Sequence, residues 1–364
     1  MMIDSEHASN LMRDSTSPAD DPAGAPSGYS ALRYCLILVL LPLLAIPAFI
    51  ALGCSDFFLH HGASVWVQAN DQVFDARDRD CDVLVYGDST AMTGIDPQKV
   101  EEQTGFRTCN ISVTNAVLAV TGNLTLDTFL AHNRPPKVLL LQLSPDGFQP
   151  GSTIWHNTIY AEGLLELLRH GRPSDVRRIL LTHPTESISF AGYAAGFTVW
   201  YGMKDAWFHL THHRLEEDRV VVQNGFFTPP APARTSCEAS ASQVAVVNPR
   251  LTAFSRSVVE NFRRTYSDRA ETVLVNVAPI PDCDANLAAY KAELKGITSN
   301  QLLPLPVGYF NNCCHYTAQG SEIVSALVAQ EVGAVDGRGL RIAEPMSPTR
   351  QIATLRRVRL RLHR

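Results

Sequence analysis

The sequence predicts an α/β domain built on a parallel sheet, preceded by one apolar helix of membrane-spanning length. Three observations carry this expectation. Residues 34–53 read YCLILVLLPLLAIPAFIALG, with no charged side chain. Four short runs of aliphatic and β-branched residues recur later in the chain; they are apolar on both faces, as buried parallel strands are. Helical patterns separate these runs, and strand–helix–strand order belongs to layered α/β folds.

The elements follow in chain order. Residues 1–33 are polar, lack an apolar period and read as a disordered tail. At ~1.5 Å per residue, residues 34–53 match the ~30 Å hydrocarbon core of a bilayer. Pro42 and Pro47 would kink such a helix, which lipid-embedded helices tolerate. The long polar start and full-length apolar run favour an uncleaved signal anchor over a cleaved signal. Ala51-Leu52-Gly53-Cys54 also offers a faint lipidation pattern at Cys54. Arg33 on one side and Asp56 on the other place the N-terminus in the cytoplasm and the main domain outside it. Residues 54–79 read as a connector.

The strand candidates are residues 82–86 (DVLVY), 110–113 (NISV), 137–143 (KVLLLQL) and 272–277 (TVLVNV). Between the first two, Asp96 suits a helix cap, Pro97 the first helical position and Gly105 the stop. Residues 148–248, with Trp155, Trp200 and Trp207, break the rhythm. They read as a helical insertion over the carboxyl edge of the sheet, where ligands of open α/β sheets bind. A helix over 249–266 returns the chain to the sheet. A last helix follows Thr317, buries Ile323, Leu327 and Val328, and is expected to stop at Gly333. The α/β domain so defined covers residues 80–333. Residues 334–364 form a basic tail containing Arg350, Arg356, Arg357, Arg359, Arg361 and Arg364, either a solvated end or a ligand for anionic lipid or polymer.

Composition narrows the classes. The 364 residues are 45% hydrophobic and 18% charged, which excludes wholesale disorder. A net charge of −5 argues against a nucleic-acid partner, which needs a basic face. The 8 cysteines contain no CxxC pair, so zinc-ribbon and thioredoxin-type motifs are excluded. All but Cys35 follow the apolar segment, and export would permit disulfides. Cys81 and Cys109, each just ahead of a strand, form either a disulfide or a pair of buried thiols. Cys313 and Cys314 are expected to bridge to Cys283 or Cys237, the alternative being a thiol nucleophile. His209, His212 and His213 invite a metal reading, since His209 and His213 share a helix face. Without a Glu after the first His or a third ligand, an exposed amphipathic face is expected and no metal site. Trp200, Tyr201, Trp207 and Phe208 read as core or membrane-facing packing rather than a sugar platform.

Two motifs carry chemistry. In VLVYGDSTAMTGIDP the first strand ends at Gly87-Asp88-Ser89, which sets Ser89 at the carboxyl end of a rigid element. A serine hydroxyl is un-ionised at neutral pH and needs a base. In NCCHYTAQG, His315 precedes the last helix and reaches the same edge, where it can take and return the Ser89 proton. The plainer readings are a tight turn for GDS, a helix-end residue for His315 and a turn former for Asn312. Asp88 is expected to brace its loop as a hydrogen-bond acceptor.

Taken together, YGDSTAMTGIDP, CNISVTNA, LLLQLSPDGF and HYTAQG resemble the SGNH (GDSL-like) hydrolase superfamily, and most of all its membrane-anchored branch associated with O-acylation of cell-surface polymers. The resemblance covers roughly residues 81–148 and 272–332. It implies a three-layer, flavodoxin-like α/β/α fold, a Ser89 nucleophile, a His315 base, and hydrolysis or transfer of an acyl group, acetyl above all. It also implies an acylated polysaccharide as substrate, a membrane-bound O-acyltransferase as a partner, and no organic cofactor or metal. Three positions depart from the family pattern. Asn312 stands where the family usually has the Asp that orients the histidine. Asn115 stands where a Gly amide usually meets the oxyanion, and its own amide together with that of Ser89 is expected to serve. Ser144 or Asp146 stands where an Asn side chain is usual. A carboxylate aimed at an oxyanion is harmful, so Asp146 is expected to point elsewhere. The alternative is a catalytically inactive scaffold of the same fold that binds glycan or organises a membrane complex.

Overall fold

A computed structural model of the chain describes residues 28–61, 64–74, 76–149, 157–182, 249–311 and 314–335, with scattered positions between 196 and 237. Helix α1 (Gly28–Gly53) contains the apolar segment. Its stretch Ala31–Gly53 has mean hydropathy 2.9 and buries none of its most apolar window, so it is long and apolar enough to span a membrane.

The region expected to be a connector is instead helical, with α2 (Asp56–His61) and α3 (Val65–Phe74). Val65, Ala69 and Val73 recur every fourth residue, and all three are buried, which gives α3 an apolar face. Asn70 is buried among them because its polar side chain finds partners elsewhere in the fold.

The sheet has strands β1 (Val83–Gly87), β2 (Thr108–Asn110), β3 (Val138–Leu143) and β4 (Thr272–Val277), in the order β2-β1-β3-β4. Every pairing is parallel, with Val85 opposite Asn110, Gly87 opposite Gln142 and Gln142 opposite Asn276. Both faces are buried, as strands apolar on both faces require. Leu84, Tyr86, Leu139, Leu141, Val275 and Val277 join one core cluster, whereas Val83, Val85, Val138, Leu140 and Leu274 join another. β2 ends earlier than the expected 110–113. The Asn110 carboxamide oxygen takes the Ser112 N–H at 3.0 Å and turns the chain, although Ile111 and Val113 still donate to Val85 and Gly87.

After β1 come α4 (Ser89–Gly94) and α5 (Pro97–Thr104). Asp96 caps α5 and Gly105 ends it with φ +74°, as the sequence predicts. Helices α6 (Asn115–Thr121) and α7 (Leu124–His132) link β2 to β3. Helices α8 (Asn157–Arg169) and α9 (Pro173–Thr182) follow β3. Leu164, Leu165 and Leu167 of α8 belong to the main core, so this part of the expected insertion is structural. Trp200 and Trp207 are 66% and 64% exposed, which removes core packing as their role. Trp155, Tyr201, Phe208, His209, His212, His213 and the arginine-rich tail lie outside the described residues.

Helix α10 (Pro249–Tyr266) leads into β4. Strand β5 (Ile280–Pro281), helix α11 (Leu287–Leu294), strand β6 (Pro304–Leu305) and helix α12 (Ala318–Val335) complete the order. The Thr317 hydroxyl accepts the Gly320 N–H at 3.2 Å and caps α12. The helix runs past Gly333, the expected stop, because Val332 and Val335 continue its apolar contact with the core. That contact outweighs the ~1 kcal/mol cost of an internal glycine. Cys81 bonds to Cys109, the disulfide alternative. Cys283 bonds to Cys237, not to Cys313 or Cys314: the two lie 5.8 Å apart at Cα, within bridging reach.

Candidate active site

From β1 the chain runs out to β2 on one side and then crosses back to β3 on the other. The carboxyl ends of β1 and β3 therefore flank the point where strand order reverses, the crevice in which open α/β sheets bind ligands. Gly87 closes β1 there. A Cβ on it would sit 1.9 Å from the Gln142 carbonyl oxygen, so only glycine allows this approach. Asp88 follows, buried, with one carboxylate oxygen accepting the Thr90 N–H at 2.9 Å and the Thr90 hydroxyl at 2.6 Å. Its other oxygen accepts the Ser144 N–H at 2.8 Å. Burial pushes its carboxyl above the usual range while these hydrogen bonds pull it back. Asp88 thus fastens the loop after β1 to the loop after β3, a loop-bracing arrangement.

Ser89 opens α4. The buried Asn110 side chain grips the helix from β2, donating to the carbonyls of Ala91 and Ile95 at 3.0 and 2.9 Å. At its far end, Gly94 leaves room for the Tyr316 ring, which a Cβ would meet at 2.7 Å. Tyr316 donates to the Pro279 carbonyl at 2.8 Å, and the Asn311 N–H bonds to the His315 carbonyl at 3.1 Å. These contacts fix a short loop just ahead of α12 and aim His315 at α4. His315 Nε2 lies 2.9 Å from Ser89 Oγ.

Trp66 of α3 lies against the histidine, ring centroids 4.6 Å apart at 40°. Phe227 also packs against Trp66, ring centroids 4.7 Å apart at 76°. Sequence reading passed over Trp66 because it falls in the supposed connector; its helical spacing of four from Asn70 was the available signal. Burial lowers the His315 imidazole from 6.5 to about 4. The ring is therefore neutral at neutral pH, the state that accepts a proton from Ser89.

Asn115 begins α6. Thr114 caps that helix through the Val117 N–H at 3.4 Å, and α3 and α8 clamp the cap. The Thr114 N–H donates to Asn70 Oδ1 at 2.8 Å, and Asn70 Nδ2 donates to Thr114 Oγ1 and Glu162 Oε1 at 3.0 and 2.9 Å. Burial and the Glu166 charge raise Glu162 to about 7. Because the Val113 N–H bonds to the Gly87 carbonyl, Ser89 and Asn115 begin adjacent helices at one edge of the sheet. Asn312 lies outside the described residues. The Asp146 carboxylate accepts the Tyr290 hydroxyl, and the Ser144 N–H donates to Asp88.

Among the described residues, Asp71, Glu166 and His170 offer ligand atoms within 4.8 Å of one another, close enough for a metal ion. The same groups form an ion-pair network: Arg169 lies 2.6 Å from Glu166, and His170 lies 3.1 Å from Glu166 and 3.2 Å from Asp71. These carboxylates raise His170 to about 9 against the opposing effect of burial.

No protein-family model, curated protein or solved structure matches the chain.

Proposed function

We propose that the chain is a membrane-anchored, SGNH-like serine esterase or O-acyltransferase acting on acyl esters, chiefly acetyl, of a cell-surface or exported polysaccharide. The observation that carries this reading is the 2.9 Å contact between Ser89 Oγ and His315 Nε2, made where strand order reverses. Nucleophile and neutral base within hydrogen-bond reach are the minimum for serine catalysis. In the proposed cycle Ser89 Oγ attacks the acyl carbonyl carbon while His315 takes its proton. The Ser89 and Asn115 N–H groups receive the oxyanion. His315 returns the proton to the departing alcohol oxygen, which leaves an acyl-Ser89. Water or a sugar hydroxyl then attacks the acyl carbon and gives its proton to His315, and Ser89 leaves with that proton. No cofactor or metal enters these steps.

The two core clusters on opposite sheet faces support a three-layer α/β/α arrangement. The apolar α1 supports single-pass anchoring, with the N-terminus in the cytoplasm and the main domain periplasmic or otherwise outside. The disulfides Cys81–Cys109 and Cys237–Cys283 favour that side, since the cytoplasm keeps thiols reduced. Membrane lipid and an acylated polymer are the expected contacts, with a membrane-bound O-acyltransferase as acyl source and no nucleic acid.

A fluorophosphonate probe tests the reading because it reports an activated serine without the natural substrate. Wild type should be labelled at Ser89 and Ser89→Ala should not. A folded wild-type chain that resists the probe would instead favour the inactive-scaffold reading.

A further inference from the structure

We propose that Trp66 is a positioning residue for His315: its ring holds the imidazole on Ser89 and stabilises the imidazolium that forms when the serine proton is taken. The catalytic part of this inference rests on the Ser89–His315 reading above; the effect on the imidazolium does not.

The geometry supplies the argument. An indole face carries negative electrostatic potential and attracts a cation within about 6 Å of its centre. The His315 ring centroid is 4.6 Å away, so an imidazolium there lies inside that range. Trp66 cannot easily swing aside. Phe227 packs against it, and the half-buried ring rests on a buried cluster of Val65, Ala69, Met92 and Phe227. Asn70, one turn further along α3, is hydrogen-bonded to Thr114. Residues four apart share a helix face. One short helix therefore presents Trp66 to the base and Asn70 to the cap ahead of Asn115.

Among the described residues, other titratable groups also stand near His315. Ser89 is its hydrogen-bond partner. Asp88 is committed to Thr90 and Ser144. Tyr316 spends its hydroxyl on Pro279, and the neighbouring Cys314 is half-buried. On α3, Asp71 faces His170.

The test compares Trp66→Phe with Trp66→Leu in the full chain, reconstituted in lipid nanodiscs and labelled at histidine for NMR. Both replacements open similar space and admit similar hydration; only Phe keeps an aromatic face. His315 should titrate about half a pH unit or more higher in the Phe variant than in the Leu variant. The acid limb of fluorophosphonate labelling should move in the same order. Equal titrations, or a higher value with Leu, would overturn the proposal, as would slower labelling at every pH with no movement of the limb. If wild-type Ser89 proves unreactive, the esterase reading falls while the histidine titrations still decide this one.

Discussion

The protonation of His315 offers a quantitative test of the site. Burial lowers the imidazole from 6.5 to about 4, so the folded protein disfavours the imidazolium by about 3 kcal/mol relative to water. Only the neutral ring can accept the Ser89 proton. The rate of Ser89 labelling should therefore stay flat from pH 8 down to about 5, fall to half near pH 4, and vanish below that. An ordinary histidine would already have lost half its activity at pH 6.5. The same linkage acts on folding. Because the folded value lies below the unfolded one, the His315 contribution is present above about pH 6.5 and is lost as pH falls towards 4. Circular dichroism on the same samples separates that loss from the chemical limb. His315→Gln keeps a hydrogen-bonding side chain but cannot relay a proton, so labelling should drop by about two orders of magnitude or more and lose its limb. A wild-type midpoint near 6.5 would refute the burial argument, and a limb surviving in His315→Gln would refute the assignment of the base.

Two further outcomes follow. A base titrating near 4 is poorly matched to neutral pH, so Asn312→Asp, by placing a carboxylate at the position proposed to orient His315, should raise hydrolysis of a small activated ester by about tenfold or more; an unchanged rate would remove Asn312 from the orienting role. The buried Glu331, bonded to Asn276 at 2.7 Å, is raised by burial from 4.5 to about 7, so its contribution to stability is full below about pH 4.5 and is lost as pH rises through 7; Glu331→Gln keeps the Asn276 bond without ionising and should gain up to about 3 kcal/mol over wild type at pH 8.5 in urea titrations, whereas equal unfolding midpoints at that pH would contradict it.

What could be read from the sequence was local. The aliphatic runs became strands because aliphatic and β-branched residues dominate them, even where Gln142 and Asn276 intervene, and α5 carries both its signals, Asp96 and Gly105, within ten residues of sequence. GDS and HYTAQG were legible for the same reason, each marking the end of a strand or the start of a helix. The rest depends on partners far apart in the chain. Gln68, Asn70, Asp71 and Gln72 make residues 65–74 look like a linker. Asn70 is nonetheless buried, because Thr114 lies 44 positions away and Glu162 lies 92 away, and no short window contains that satisfaction. Cys237 and Cys283 are 46 apart, with no spacing rule to join them. Ser144 donates its backbone N–H to Asp88, 56 positions away. The candidate site is thus assembled from four segments: Trp66 and Asn70 on α3, Gly87 to Ser89 at the end of β1, Thr114 and Asn115 at the start of α6, and His315 and Tyr316 ahead of α12. Only the last three announce themselves by motif. The first is marked by a physical inconsistency, an asparagine at the core spacing of an apolar helix, and such a residue stays buried only when the fold brings it hydrogen-bond partners. Here those partners include the cap of the very helix that begins with Asn115, which ties the least legible segment directly to the proposed chemistry.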